Sequence, residues 1–256
     1  MSEVVTYESA ERFAIITLRR PGQRNAVNAA VAVALRAAVD RFEADAECLV
    51  AILTGEGERA FCAGMDLKAF AAGEGPAIIE GRGGFGGFTT YPRTKPVIAA
   101  VNGAALAGGF ELVLACDLVV AAEHAIFGLP EVKRGLFAAS GGALRLPTVI
   151  PRVRATEMLL TGDPIDAPTA HALGLVNAVT PGVHLMDVAR ELAGRIGVNA
   201  PLAVRQSLAT ARGVAEPIET QWSLNDSAWL RIAGTEDARE GSLAFAEKRP
   251  PHWRGR

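Results

Sequence analysis

GGFELVLACDLVVAAEHAIFGLPE, residues 108–131, decides how the rest of the chain is read. Its first part predicts a short helix over 107–116, opened by Gly108 and Gly109, because paired glycines allow a sharp entry and close packing. Its second part, DLVVAA (117–122), is an apolar run of strand length. Two carboxylates, Glu111 and Glu131, stand at the edges of these apolar runs. Either they are ordinary residues of a helix start and a turn, or they are two halves of an acid–base device.

Outward from this stretch, the pattern is that of an α/β protein. FAIITL (13–18), LVAILTG (49–55) and PVIAAVNG (96–103) predict further strands, the second apolar enough to be covered on both faces. RRPGQRN (19–25) predicts a turn and the alanine-rich segment 28–44 a helix. Helices are also expected near 140–146 and over 153–160. The segment 73–88, with five glycines in GRGGFGG alone, predicts a mobile or irregular insertion. From Pro201 the texture turns helical, with Trp222 and Trp229 seven apart on one face. Glu236 and Asp237 come early and Lys248 and Arg249 late in the last helical segment, as a helix dipole favours. The expected division is a body over 1–199 and a helical region over 200–256.

The chain has 256 residues, half of them apolar, and a formal charge of -2, so a sizeable core is available and no global field points to nucleic acid. Cys48, Cys62 and Cys116 form no CxxC pair or disulfide framework, and neither an export pattern nor a membrane-spanning run is present. A cytoplasmic protein without membrane insertion is expected. The four histidines, His124, His171, His184 and His252, show no metal-ligand spacing, Ser140 lacks a nucleophile elbow, and the glycines miss a dinucleotide fingerprint.

The residues also suggest a carbonyl site. A Gly108 amide at a helix start has no partner within the helix, and a second donor is available near Met65 in FCAGMD (61–66). Two converging amides would form an oxyanion hole. The same glycines could instead serve tight packing.

With ITLRRPGQRNAVN (16–28), LTGEGERAFCAGMDL (53–67), the run from Pro96 to Leu136, SGGALRLPTVI (140–150), MLLTGDPIDAPTAHALGLVNAV (158–179) and TEDAREGSLAFAEKR (235–249), the chain resembles the enoyl-CoA hydratase/isomerase, or crotonase, superfamily over almost its whole length. The resemblance implies a spiral of repeated ββα units with a C-terminal helical region, a homotrimer or homohexamer, and an acyl-CoA thioester substrate. It implies no resident metal or redox cofactor; coenzyme A arrives with the substrate. The Met65 and Gly108 amides match the oxyanion positions, and Glu111 and Glu131 match the two hydratase glutamates. Retention of both favours water addition to a trans-2-enoyl-CoA, with Glu111 as water-activating base and Glu131 as proton donor to the α-carbon.

For coenzyme A, Arg24, Lys68, Phe245 and Lys248 occupy candidate contact positions, and Asp66 a loop-shaping one. Phe85 and Phe88 are candidates for the acyl pocket or for anchors of a surface loop. EVKRGLFAASGGALRLP (131–147) also resembles carnitinyl-CoA hydratase relatives. The alternatives to enoyl-CoA hydration are therefore double-bond isomerisation, carnitinyl-CoA dehydration and non-catalytic acyl-CoA binding.

Overall fold

The computed structural model of the chain describes residues 3–10, 12–213, 227, 231–232 and 235–256; the expected face of Trp222 and Trp229 lies outside them. Two sheets organise the body. The larger has the order β1 (Val5–Ala10), β2 (Phe13–Leu18), β3 (Val50–Gly55), β5 (Val97–Val101), β7 (Leu118–Ala122) and β10 (Ala178–Thr180). The smaller has the order β4 (Ala60–Cys62), β6 (Ala104–Leu106), β8 (Ile126–Gly128) and β9 (Ile165–Asp166).

Consecutive strands alternate between the sheets: β3 then β4, β5 then β6, β7 then β8. Each pair is followed by helix, so the chain advances by repeated ββα turns. Pairing is parallel from β2 to β3, β5, β7 and β10, and from β4 to β6 and β8; β1 with β2 and β8 with β9 are antiparallel. This is the expected spiral.

All six residues of β3 are buried because its two faces enter different cores. Ala51 and Leu53 join the larger cluster with Leu35 and Phe42 of α1 (Ala29–Ala44). Val50 and Ile52 pack on the other side with Leu185, Ala189 and Ala193 of α8 (Leu185–Gly197). Burial of each large aliphatic side chain is worth about 1.5–3 kcal/mol, which explains why the run lacks polar alternation. The α1 helix starts one residue later than expected: Asn28 is its cap, its side-chain oxygen accepting from the Val31 amide at 3.0 Å.

The glycine-rich segment is irregular, as expected, but anchored. It contains a π-helical turn, α3 (Gly75–Ile79) and a 3-10 turn at Phe85–Gly87. Arg82 reaches Asp40 of α1 at 3.2 Å and donates to the Tyr91 hydroxyl at 2.6 Å. Phe85 and Phe88 are buried in the main core. In the C-terminal part, Arg212 at the end of α9 (Pro201–Arg212) clasps Asp117 through two bonds of 2.9 and 2.8 Å. After α10 (Glu236–Glu247) the chain folds back, and the Arg254 and Gly255 amides donate to buried Asp237. Among the described residues, no helix is long and apolar enough to cross a membrane.

Candidate active site

The site begins at α4 (Gly108–Ala115), a helix buried at every position. A Cβ on Gly109 would run into the Cys62 carbonyl, and one on Gly108 into the Phe85 ring. Close packing therefore requires glycine at both positions, whatever the Gly108 amide binds. Ala107, which opens the helix, has φ 51 and ψ -130, a conformation that costs a non-glycine residue roughly 1–3 kcal/mol. Its amide is held by the Gly128 carbonyl at 2.9 Å, which ties the helix start to β8. At the other end, Arg93 donates to the Ala115 carbonyl and completes the helix C-terminus.

The loop carrying Met65 comes up against this helix start. Gly64 has φ +91, and a Cβ there would stand 3.0 Å from the Gly108 nitrogen. Its neighbours are pinned: Ala63 donates to the Arg24 carbonyl at 3.0 Å, Val27 to the Gly64 carbonyl at 2.8 Å and Asp66 to the Val27 carbonyl at 2.9 Å. Among the described residues, no acceptor takes the amide of Met65 or of Gly108. Asp66 shapes this loop, as expected. Its carboxylate accepts from the Lys68 and Ala69 amides and pairs with Arg20 at 3.0 Å.

Glu111 lies one turn after Gly108 and is 3% exposed. One carboxylate oxygen accepts from the Gly142 amide at 2.9 Å. Burial raises its pKa, opposed by the Gly142 amide, by Ser140 and by the charge of Arg145. Glu131 lies in the 3-10 turn Pro130–Arg134, just beyond β8. Among the described residues its buried Oε2 has no hydrogen-bond partner. Burial pushes its carboxyl up to about 7, and nearby Glu111 adds to the push. The two acids thus feel one another; among the described residues Glu131 is eased only by its own backbone amide, whereas Glu111 receives the Gly142 amide, Ser140 and the field of Arg145. Burial raises both carboxyls, and Glu111 has the larger set of groups that favour its charged form.

Phe85 faces Gly108, whereas Phe88 is fully buried under the Arg93 guanidinium, 4.2 Å from its ring centroid. Arg24 is exposed in the left-handed conformation, Lys68 is exposed on the short α2 (Leu67–Ala69), and Lys248 is exposed just after α10. Phe245 lies within α10, and its side chain is outside the described residues. Among the described residues, no hydrogen bond or ion pair joins Arg24, Lys68 or Lys248 side chains to either glutamate. Reading the sequence missed Gly142, Ser140 and Arg145. The available signal was a lone cation in SGGALRLP, an otherwise small and apolar stretch.

With its repeated ββα spiral and a pair of neighbouring acids beside a buried helix, the chain is a member of the enoyl-CoA hydratase/isomerase family, whose model matches residues 8–256. It is an enzyme, a hydro-lyase of the crotonase superfamily acting on acyl-CoA. It is 47% identical over 247 residues to the carnitinyl-CoA dehydratase of Proteus mirabilis strain HI4320, covering 94% of each chain. Crystal structures of enoyl-CoA hydratases from Mycobacterium tuberculosis H37Rv and Mycobacterium marinum match at 49% and 50% identity, each with TM-score 0.95 and full coverage of both chains.

Proposed function

We propose that the protein adds and removes water reversibly across the C2–C3 bond of an acyl-CoA, with carnitinyl-CoA and its dehydrated enoyl partner as the substrate pair. The pairing of two neighbouring acids, Glu111 bound to the Gly142 amide and Glu131 with a buried oxygen unpartnered among the described residues, supports the reaction type. The acyl group rests on similarity to carnitinyl-CoA dehydratases over 94% of the chain. This places the weight on dehydration of a carnitinyl thioester, which the sequence ranked second to general enoyl-CoA hydration. The second reading, an unsubstituted 2-enoyl-CoA, is supported by the similarity to the two mycobacterial hydratases. Both readings use the same bond changes and differ only in the acyl substituent.

In hydration, Glu111 takes a proton from water as its oxygen bonds to C3. The π electrons move to C2, which receives the proton of Glu131. The Met65 and Gly108 amides hold the thioester oxygen while it carries enolate charge, each worth roughly 3–4 kcal/mol in the transition state. Phe85, held on the Gly108 side of the helix start, borders the acyl group, and Phe88 supports it from the core. Arg24, Lys68, Phe245 and Lys248 serve coenzyme A, the last two from a region that can reach a neighbouring subunit. An assembly of three or six copies would cover the apolar side chains left exposed along α5 (Gly142–Val149) and α6 (Arg152–Thr161), notably Leu144, Val153 and Leu160.

The deciding experiment follows loss of the conjugated enoyl-thioester absorbance with crotonobetainyl-, crotonyl- and longer enoyl-CoA. Turnover should be highest with the crotonobetainyl substrate and fall by at least about 10²-fold in Glu111→Gln and Glu131→Gln while CoA-ligand binding persists. Faster turnover of unsubstituted enoyl-CoA selects the second reading. Undiminished turnover in either variant rejects the acid pair.

A further inference from the structure

The division of labour between two coupled acids needs something that breaks their symmetry. Arg145 on α5 is in place to do so. Its Nη2 donates to the Thr89 carbonyl at 2.6 Å and its Nη1 to the Ser140 carbonyl at 3.4 Å. It therefore bridges the end of the glycine-rich segment to the loop whose next residues present the Gly142 amide to Glu111. Among the described residues Arg145 has no ion-pair partner within reach, and the acid whose field acts on it first is Glu111. The influence is mutual, since Arg145 also favours the ionised form of Glu111.

We propose that Arg145 is a positioning residue that assigns the pair's single proton to Glu131 and keeps Glu111 as the base. This rests on the hydro-lyase reading of the pair and names what orders it. The other groups facing Glu111 do not supply the same bias. Glu131, from the 3-10 turn, is itself an acid and repels charge on Glu111. Lys133 of that turn is bound to Asp163 at 2.5 Å. Cys62, on β4 beneath Gly109, is pushed up to about 12 by burial and stays neutral. Arg93 sits at the C-terminal end of α4, on the Ala115 carbonyl, and it is the field of Arg145 that Glu111 feels. Ser140 and Gly142 are dipoles, and Arg145 itself holds the loop that presents them.

An opposite charge nearby typically moves a carboxyl by about one to three pH units. Arg145→Gln should therefore raise the acid limb of the kcat/KM profile by about one unit, a roughly tenfold loss on that limb. Arg145→Lys should restore the limb because it keeps the charge, even where kcat stays reduced by the lost carbonyl bridge. A purely structural brace would lower kcat at every pH in both variants without moving the limb, and that result overturns the proposal. A second measurement needs no turnover: carbon-13 carboxyl NMR of the ligand-free enzyme, with Glu111→Gln identifying the signal. The Glu111 signal should titrate at higher pH in Arg145→Gln than in wild type or Arg145→Lys, and an unmoved signal also overturns the proposal. If Arg145→Gln does not fold, Arg145→Lys carries the test, and a full-unit shift there rejects it. Failure of the hydro-lyase reading looks different: the NMR shift would persist while wild-type enzyme turned over no enoyl or hydroxyacyl thioester.

Discussion

Arg20 reaches across to Asp66, its Nη2 standing 3.0 Å from Oδ2, with each side chain only 16% and 15% exposed. The pair locks the turn after β2 to the loop that carries Met65. Arg20 also donates to the Ala26 carbonyl at 2.6 Å, and Asp66 also caps the turn at Lys68 and Ala69. One carboxylate thus ties the residue after Met65 both to the turn after β2 and to the entry of α2.

Asp66→Ala should lower stability by about 2 kcal/mol, from the lost cap and the unpaired Arg20, and depress kcat more than it raises KM. Burial alone would raise the Asp66 pKa, but the Ala69 amide, Arg20 and the Lys68 amide more than reverse this and leave it lowered. Its contribution is therefore present above the unfolded value of about 3.9 and is lost as pH falls through the lower folded value. Urea unfolding at neutral and acid pH measures it. An equal loss in Asp66→Ala at both would contradict the assignment.

Hydration consumes water but no net proton, so forward and reverse reactions need the same state, one proton on the glutamate pair. The kcat/KM profiles in both directions should be bell-shaped and superimposable, with a basic limb near pH 7 set by Glu131. A profile flat through neutrality would contradict this. The same raised carboxyl affects stability with the opposite sign to Asp66. Its contribution is full below about pH 4.3, the unfolded value, and is lost as pH rises through about 7. Glu131→Gln should remove that dependence from thermal unfolding.

Gly108→Ala should place its methyl in the Phe85 ring and push the amide out of line. Overpacking of this kind costs about 1–3 kcal/mol, and a displaced oxyanion donor about 10²-fold in kcat. Phe85→Leu in the same chain should recover part of both. Unfolding curves and steady-state rates test the pair together; full activity in Gly108→Ala alone would mean that the amide holds no developing charge.

What local sequence determined is clear from particular elements. FAIITL, VAILTG and VIAAV are long enough for burial on both faces to show as apolar runs, and they became β2, β3 and β5. The alanine-rich segment 28–44 became α1, although the capping role of Asn28 shows only in its bond from the Val31 amide. The ordered motifs from residue 16 to residue 249 carried the family, and with it the ββα spiral and the two glutamates. The smaller sheet escaped notice because β4, β6 and β8 have three residues each, too few to display a period, and exist only through parallel pairing with one another. Only the tertiary structure could seat Phe85 against Gly108 and bring Gly142 to Glu111 across thirty residues of chain. It alone left Glu131 half-buried with a carboxylate oxygen unpartnered among the described residues. Residue type states which groups can take up a proton; burial and the placement of distant dipoles and charges set which one does so at neutral pH.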